Sequence, residues 1–310
     1  MASGSGYGKV ILFGEHFVVH GNHAVVSAIA HRTTAEAVEG SKPGVELVDN
    51  RPAAPGYKAK KAKDQEKSLG LILGAMGIDA TTPIEITLAG DLYAASGVGA
   101  SAAFCTAIAR SLSAYFNMDL SDLDINRIAY QGEKGYHGKP SGVDNTASTY
   151  GGLLWFKKRE GDPEHERIPV PRPINIVMAN SGPTADTTAA VARVGSLREK
   201  QPEEYTRIAR DAEELALGGR QALERYDLGA VGRLMDRNHE LLGELGVSTG
   251  LLDQMAAAAR RSGALGAKLT GGGMGGYMVA LVESRETGAQ VARALEEISE
   301  DITTLETRVG

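Results

Sequence analysis

Residues 95–103 read ASGVGASAA, and the choice among three readings of this stretch decides the fold. As a variant of the dinucleotide fingerprint it needs a strand ending at the first glycine, a helix, and a second strand ending in an acid about 20 residues on. The strand-like IEITLAG (84–90) ends well before Gly97, and Asp119 falls in NMDLSDLD between two helical patterns. Context therefore excludes the fingerprint. A P-loop is excluded too, because the Gly-Lys pairs of GSGYGKV and GYHGKPS lack the spacing GxxxxGK[ST]. Two readings stand. One is an ordinary serine-capped turn. The other is a phosphate cradle: Gly97 and Gly99 bring backbone N–H groups to an anion, the helix start adds partial positive charge, and Ser101 offers a hydroxyl to phosphate or Mg²⁺.

Working outward, Phe104, Ile108, Leu112 and Phe116 recur every fourth residue, so the loop feeds an amphipathic helix. Ser121 followed by Asp124 is close to a capping box and opens a second helix through Leu123, Ile125 and Ile128, whose end Gly132 and Gly135 weaken. Upstream, KVILF (9–13), AVVSAIA (24–30), TTAEAVE (33–39) and VELV (45–48) read as strands, and KAKDQEKSLGLILGAMG (61–77) as a helix with a solvated, charged start. After the strand GGLLWFKK (151–158), the charged, proline-containing KREGDPEHERIPVPRP (158–173) marks a boundary, giving domains of 1–165 and 166–310. The second domain opens on the strand INIVMANSG (174–182). Helical patterns follow at 184–199, 203–225, 228–245 and 250–262, then strand AKL, loop TGGGMGG (270–276), strand YMVALV, a helix over 286–299 and strand TTLETR.

A length of 310 residues suits two domains, and 42% hydrophobic with 23% charged residues excludes disorder. A formal charge of −6 offers no general attraction for nucleic acid or an acidic membrane. With neither a membrane-length apolar run nor a leader pattern at the N-terminus, the chain is expected in the cytoplasm. Cys105 is the single cysteine, which rules out an internal disulfide and a multi-cysteine zinc site; in AAFCTAIA it reads as core.

Three further stretches carry candidate chemistry. GEHFVVHG (14–21) places His16 and His20 four apart, but the run reads as β-like, and Phe17 stands where a zincin needs its glutamate. TGGGMGG lies between apolar GAKLT and GYMVALV, so its glycines read as packed against a ligand rather than as a linker. In QGEKGYHGKPSGVDNTASTYGG (131–152), Asp144 alone reads as a turn or helix cap and Glu133 as a surface carboxylate.

In order and spacing these segments resemble the GHMP kinase superfamily, and within it the branch that phosphorylates mevalonate. GKVILFGEHFVVHG (8–21) is similar to its N-terminal motif, GVGASAA to its ATP-phosphate loop, GEKGYHGKPSGVDNTASTYGG to its catalytic segment and GAKLTGGGMGG to its C-terminal glycine motif. GEHFVVHG together with HGKPSGVDN points to mevalonate; a galactokinase would carry an acid where Val18-Val19 stand. The resemblance implies an α+β, two-domain GHMP kinase fold, with an N-terminal ribosomal-protein-like α/β domain and a C-terminal ferredoxin-like α+β domain. It implies transfer of the ATP γ-phosphoryl to the C5 hydroxyl of mevalonate, with Asp144 and Lys9 catalytic, and Ser101 and Glu133 as Mg²⁺ ligands. Gly97, Val98, Gly99, Ala100, Ser101 and Ala102 would cradle phosphate, and Gly271, Gly272 and Gly273 would close over the nucleotide. Glu15 would organise the substrate pocket, His16 would donate to the substrate and Thr270 would contact it. ATP and mevalonate are the implied partners, with no nucleic acid and no membrane, and a homodimer is left open. The sequence departs from the family pattern at Tyr7, Tyr93, Ala95, Ala100 and Met274.

Overall fold

IEITLAG is a strand over its full length. In the computed structural model, which describes residues 2–94, 97–182 and 187–310, β4 (Ile84–Gly90) buries Ile84, Ile86 and Leu88 on one face, as a period of two requires. Its neighbours are β2 (His23–Glu39), antiparallel with Thr33 opposite Gly90, and β3 (Val45–Asp49), parallel with Val45 opposite Ile84. A parallel pair needs a crossover, and α1 (Tyr57–Met76) supplies it. AVVSAIA and TTAEAVE are one strand rather than two, because His31 and Arg32 continue the extended chain between them. The first strand, β1 (Ala2–Phe13), begins well before KVILF and pairs with β2.

Three helices follow: α2 (Ala100–Tyr115), α3 (Asp122–His137) and α4 (Val143–Tyr150). Phe104, Ile108 and Leu112 of α2 are fully buried and share a core with Ile72, Ile84, Ile86, Leu88 and Ile125. Cys105 joins that core, its Sγ 3.3 Å from Ser68 Oγ, and burial pushes its thiol well above the usual range, so it is inert packing. Ser121 and Asp124 do form the reciprocal capping box that starts α3. Gly132 and Gly135, expected to weaken the helix end, instead lie inside it. A Cβ on Gly135 would stand 2.6 Å from the Ser68 backbone and one on Gly132 2.8 Å from Cys105 Sγ, so these glycines let α3 pack closely on α1 and α2.

The remaining elements are β5 (Leu153–Lys157), β6 (Glu164–Arg167), β7 (Ile174–Asn180), α5 (Thr187–Lys200), α6 (Pro202–Glu224), α7 (Leu228–Glu244), α8 (Gly250–Arg261), β8 (Gly266–Leu269), β9 (Tyr277–Val282), α9 (Arg285–Glu296) and β10 (Thr303–Val309). Strands β10, β7, β9 and β8 lie side by side in that order, every pairing antiparallel. Numbered by their own sequence, this is the 4-1-3-2 order of the ferredoxin-like fold, with α9 the second crossover. The buried faces of α6, α7 and α8 share one core with the sheet, including Ile208, Leu241, Met255, Val177 and Leu269. Residues 184–186, within the helical pattern at 184–199, lie outside the described residues, as do Ala95 and Ser96 of the opening loop.

Two units emerge that interleave in sequence: one comprises the chain up to Lys9 and Ala28–Gly151, the other Val10–Ser27 and the chain from Gly152 on. The sequence reading drew a single boundary near 165, at a charged stretch. That stretch holds β6, which pairs with β5 and shows no apolar alternation because most of it is solvated. Among the described residues no helix is long and apolar enough to cross a membrane.

Candidate active site

In the first unit, four residues from three motifs meet. Lys9, buried near the end of its strand segment, donates its backbone N–H to the Val98 carbonyl at 2.9 Å and sets its ammonium 2.9 Å from Asp144 Oδ1. Gly99 makes this approach feasible: its φ is +73°, and a Cβ there would stand 2.8 Å from Lys9 Cγ. Gly99 also precedes the first residue of α2, so the Ala100, Ser101 and Ala102 N–H groups belong to an open helix start that favours anions. Gly97, at φ +103°, turns the chain into that start, and Val98 is buried beneath it.

Asp144 sits in the first turn of α4. It is not the helix cap; left-handed Gly142 takes that position. The next residues hold α4 in place, with Asn145 Nδ2 donating to Asn126 Oδ1 at 2.7 Å and Thr146 Oγ1 to the Gly142 carbonyl at 2.6 Å.

Glu133 is no surface carboxylate, being 1% exposed on the buried face of α3. It accepts a hydrogen bond from Ser101, while its Oε1 has no partner among the described residues. Burial, and after it the charge of Asp144, push its carboxyl up to about 8, against the opposing pull of Ser101 and Lys9. A buried carboxylate with an unused oxygen beside a serine hydroxyl fits one hard cation. Mg²⁺ suits it because that ion takes one or two carboxylates and completes its shell with phosphate and water. No group of three or more His, Cys, Asp or Glu side chains able to hold a metal occurs among the described residues. His137 Nε2 lies 3.3 Å from Ser101 Oγ.

Glu133 links acidity to stability. Between its ordinary range near 4.5 and about 8, the folded protein keeps a proton that the unfolded chain releases, so folding stability falls as pH rises through that window. Glu133→Gln removes the cost. Denaturant titrations in EDTA should show the variant gaining stability over the parent between pH 5 and pH 8.5 while its cation affinity collapses; a constant difference at both pH values would refute the raised carboxyl.

In the second unit, GEHFVVHG is not β-like. Gly14 (φ +100°) and His16 (φ +65°) break the strand after β1, and Val18–His20 form a short 3-10 turn. Glu15 and Lys268, both wholly buried, form an ion pair, and Lys268 Nζ also donates to the Leu269 carbonyl at 2.8 Å. Burial lowers the Lys268 ammonium, with Glu15 pulling the other way. His16 Nε2 lies 2.9 Å from the Gly272 carbonyl, which can only accept, so Nε2 carries the proton. Burial, more than any other influence, lowers its imidazole to about 4. A neutral ring with Nε2–H leaves Nδ1 as an acceptor. Thr270 is bound to the backbone at two of its three hydrogen-bonding positions: its hydroxyl donates to the Ile11 carbonyl at 2.9 Å and accepts the Ile11 N–H at 3.2 Å. Gly273, at φ +71°, passes so close to Val247 that a Cβ would meet its carbonyl at 2.3 Å; Gly271 has open space at its own Cβ position. Met274, the departure in this run, still adopts the left-handed region at φ +53° and donates its N–H to the Val247 carbonyl at 2.7 Å.

The model of the GHMP kinases N terminal domain matches residues 62–152, and that of the GHMP kinases C terminal domain matches residues 220–300. A mevalonate kinase of Aeropyrum pernix is 35% identical over 308 residues, covering 96% of this chain and 93% of its own. The chain belongs to the mevalonate kinase family. A Pyrococcus horikoshii member is 32% identical, with 93% of this chain and 90% of its own covered. The crystal structure of L. major mevalonate kinase in complex with R-mevalonate superimposes with a TM-score of 0.94 at 36% identity, over 100% of this chain and 96% of that one.

Two site residues escaped the sequence reading. Lys268 stands in a short apolar strand, and the carboxylate that pairs with it, Glu15, is 253 residues away. His137 lies one helical turn after Glu133, a spacing that puts both on one face of α3 and that the sequence already contains.

Proposed function

We propose that this protein transfers the γ-phosphoryl group of ATP to the C5 hydroxyl of mevalonate, giving 5-phosphomevalonate and ADP. The observation that carries the phosphotransfer reading is the Lys9 ammonium 2.9 Å from Asp144; the choice of alcohol rests on family membership. Phosphoryl transfer needs positioning and charge neutralisation more than covalent chemistry. Asp144 accepts or steers the hydroxyl proton, and Lys9, paired with that carboxylate, offsets charge growing on the transferred group. The N–H groups opening α2 bind phosphate oxygens, with Gly97 and Val98 shaping the approach. Ser101 and Glu133 would hold Mg²⁺, which would supply neutralising charge to the phosphates. Gly271, Gly272 and Gly273 present backbone to the nucleotide.

Mevalonate carries a carboxylate and two hydroxyls, and the neutral His16 accepts from one of the hydroxyls. Glu15 fixes the turn on which His16 sits, through Lys268. Thr270 keeps one lone pair for the substrate, its other hydrogen-bonding capacity being taken by Ile11. The same reading places the enzyme in the cytoplasm.

The test is ADP release by the purified chain with ATP, Mg²⁺ and a panel of alcohols, the product position being read by ³¹P and ¹³C NMR. Mevalonate should be the substrate by at least a hundredfold in kcat/KM, phosphorylated at C5. Turnover of homoserine or phosphomevalonate in its place would overturn the assignment of substrate.

A further inference from the structure

Among the described residues Ser101 Oγ has two hydrogen-bonding neighbours, the Glu133 carboxylate and His137 Nε2 at 3.3 Å. A serine hydroxyl has one hydrogen and two lone pairs. With no cation present, that hydrogen serves Glu133. When Ser101 and Glu133 share a cation the arrangement must change, because a carboxylate turned to the metal no longer needs the hydrogen and a hydroxyl that ligates through a lone pair points its hydrogen away from the ion. The hydrogen then requires another acceptor. His137 is the last residue of α3, four after Glu133, so one helix face delivers both the carboxylate and the imidazole to the same serine. Gly138, at φ +64°, ends the helix there.

We propose that His137 is a positioning residue for the cation site: its Nε2 accepts the Ser101 hydroxyl hydrogen when the cation binds, and so turns a Ser101 lone pair toward the metal. This rests on Ser101 and Glu133 being the cation ligands. Groups that orient a metal ligand in this way typically contribute about 10–100-fold in metal affinity.

The probe is Mn²⁺, titrated into the protein–ADP complex and followed by the EPR signal of the free ion. His137→Leu should weaken Mn²⁺ binding by about tenfold or more, and His137→Gln, whose side-chain oxygen can accept at the same reach, should stay within about threefold of the parent. In a Ser101→Ala background, His137→Leu should add nothing further, since the group it orients is gone. Parent-like Mn²⁺ affinity in His137→Leu, absence of rescue by glutamine, or a full further loss in the Ser101→Ala background would each overturn the proposal. If Ser101→Ala itself binds Mn²⁺ like the parent, the ligand assignment has failed instead. Should the leucine variant not fold, His137→Asn replaces it, its amide being too short to reach Ser101.

Discussion

Asp144→Asn should lower kcat by about a thousandfold, within the 10²–10⁴ range for losing a positioned proton acceptor, while leaving the KM for ATP within about threefold. The substitution is isosteric and its site is a first helical turn held by Asn126, Asn145 and Thr146, so the fold has no reason to move. What changes is charge. Lys9 loses its partner at 2.9 Å, and the alcohol loses the carboxylate paired with that lysine. A second effect runs in the opposite direction. The Asp144 charge is the second cause, after burial, that raises the Glu133 carboxyl to about 8, so removing it makes Glu133 a stronger acid and a readier cation ligand near neutral pH. The variant should therefore bind Mn²⁺ at pH 7 at least as tightly as the parent. Loss of turnover together with undiminished metal affinity separates a proton acceptor from a metal ligand; near-normal turnover would refute the role of Asp144, and weakened metal binding would make it a ligand.

The first-unit cluster of the candidate site was legible as a cluster because its residues lie in short motifs that constrain backbone as well as side chain. Gly97, Gly99 and Ser101 announce a helix start, and Glu133 and Asp144 belong to one 22-residue segment from Gln131 to Gly152. What local sequence lacks is burial. Glu133 reads as solvated from local sequence but lies on the buried face of α3, the helix whose two apparent breaker glycines let it pack closely on α1 and α2. GEHFVVHG read as a strand because Phe17, Val18 and Val19 have strong β propensity, yet Gly14 and His16 at positive φ override it. The tautomer of His16 was not legible for a related reason: the carbonyl beside its Nε2 belongs to Gly272, 256 residues distant. By contrast, IEITLAG and YMVALV lie in sheet interiors where local pattern and tertiary environment agree, and their observed bounds match the sequence reading.

The Glu15–Lys268 pair marks the other limit of that legibility, and it leads to the second large effect. Both side chains are wholly buried, so neither charge can fall back on water when its partner is removed. Lys268→Met removes the buried ammonium that pairs with the Glu15 carboxylate and should destabilise the protein by about 3–5 kcal/mol, measured by urea unfolding at pH 7. Restoring neutrality should recover most of the loss, so Glu15→Gln combined with Lys268→Met should unfold within about 1–2 kcal/mol of the parent. Stability and function then part company. The double variant keeps a packed interior but no longer ties the Glu15–His16 turn to the strand that leads into Thr270 and the glycine run. Its KM for mevalonate should rise by about tenfold, equivalent to 1.4 kcal/mol, while its KM for ATP stays near the parent value. If Lys268→Met alone unfolds like the parent, the pair carries no net charge that needs compensation. If the double variant is stable and also binds mevalonate normally, the pair serves the fold and the substrate turn is positioned by its backbone alone, with His16 held at φ +65° by Gly272 rather than by its charged neighbour.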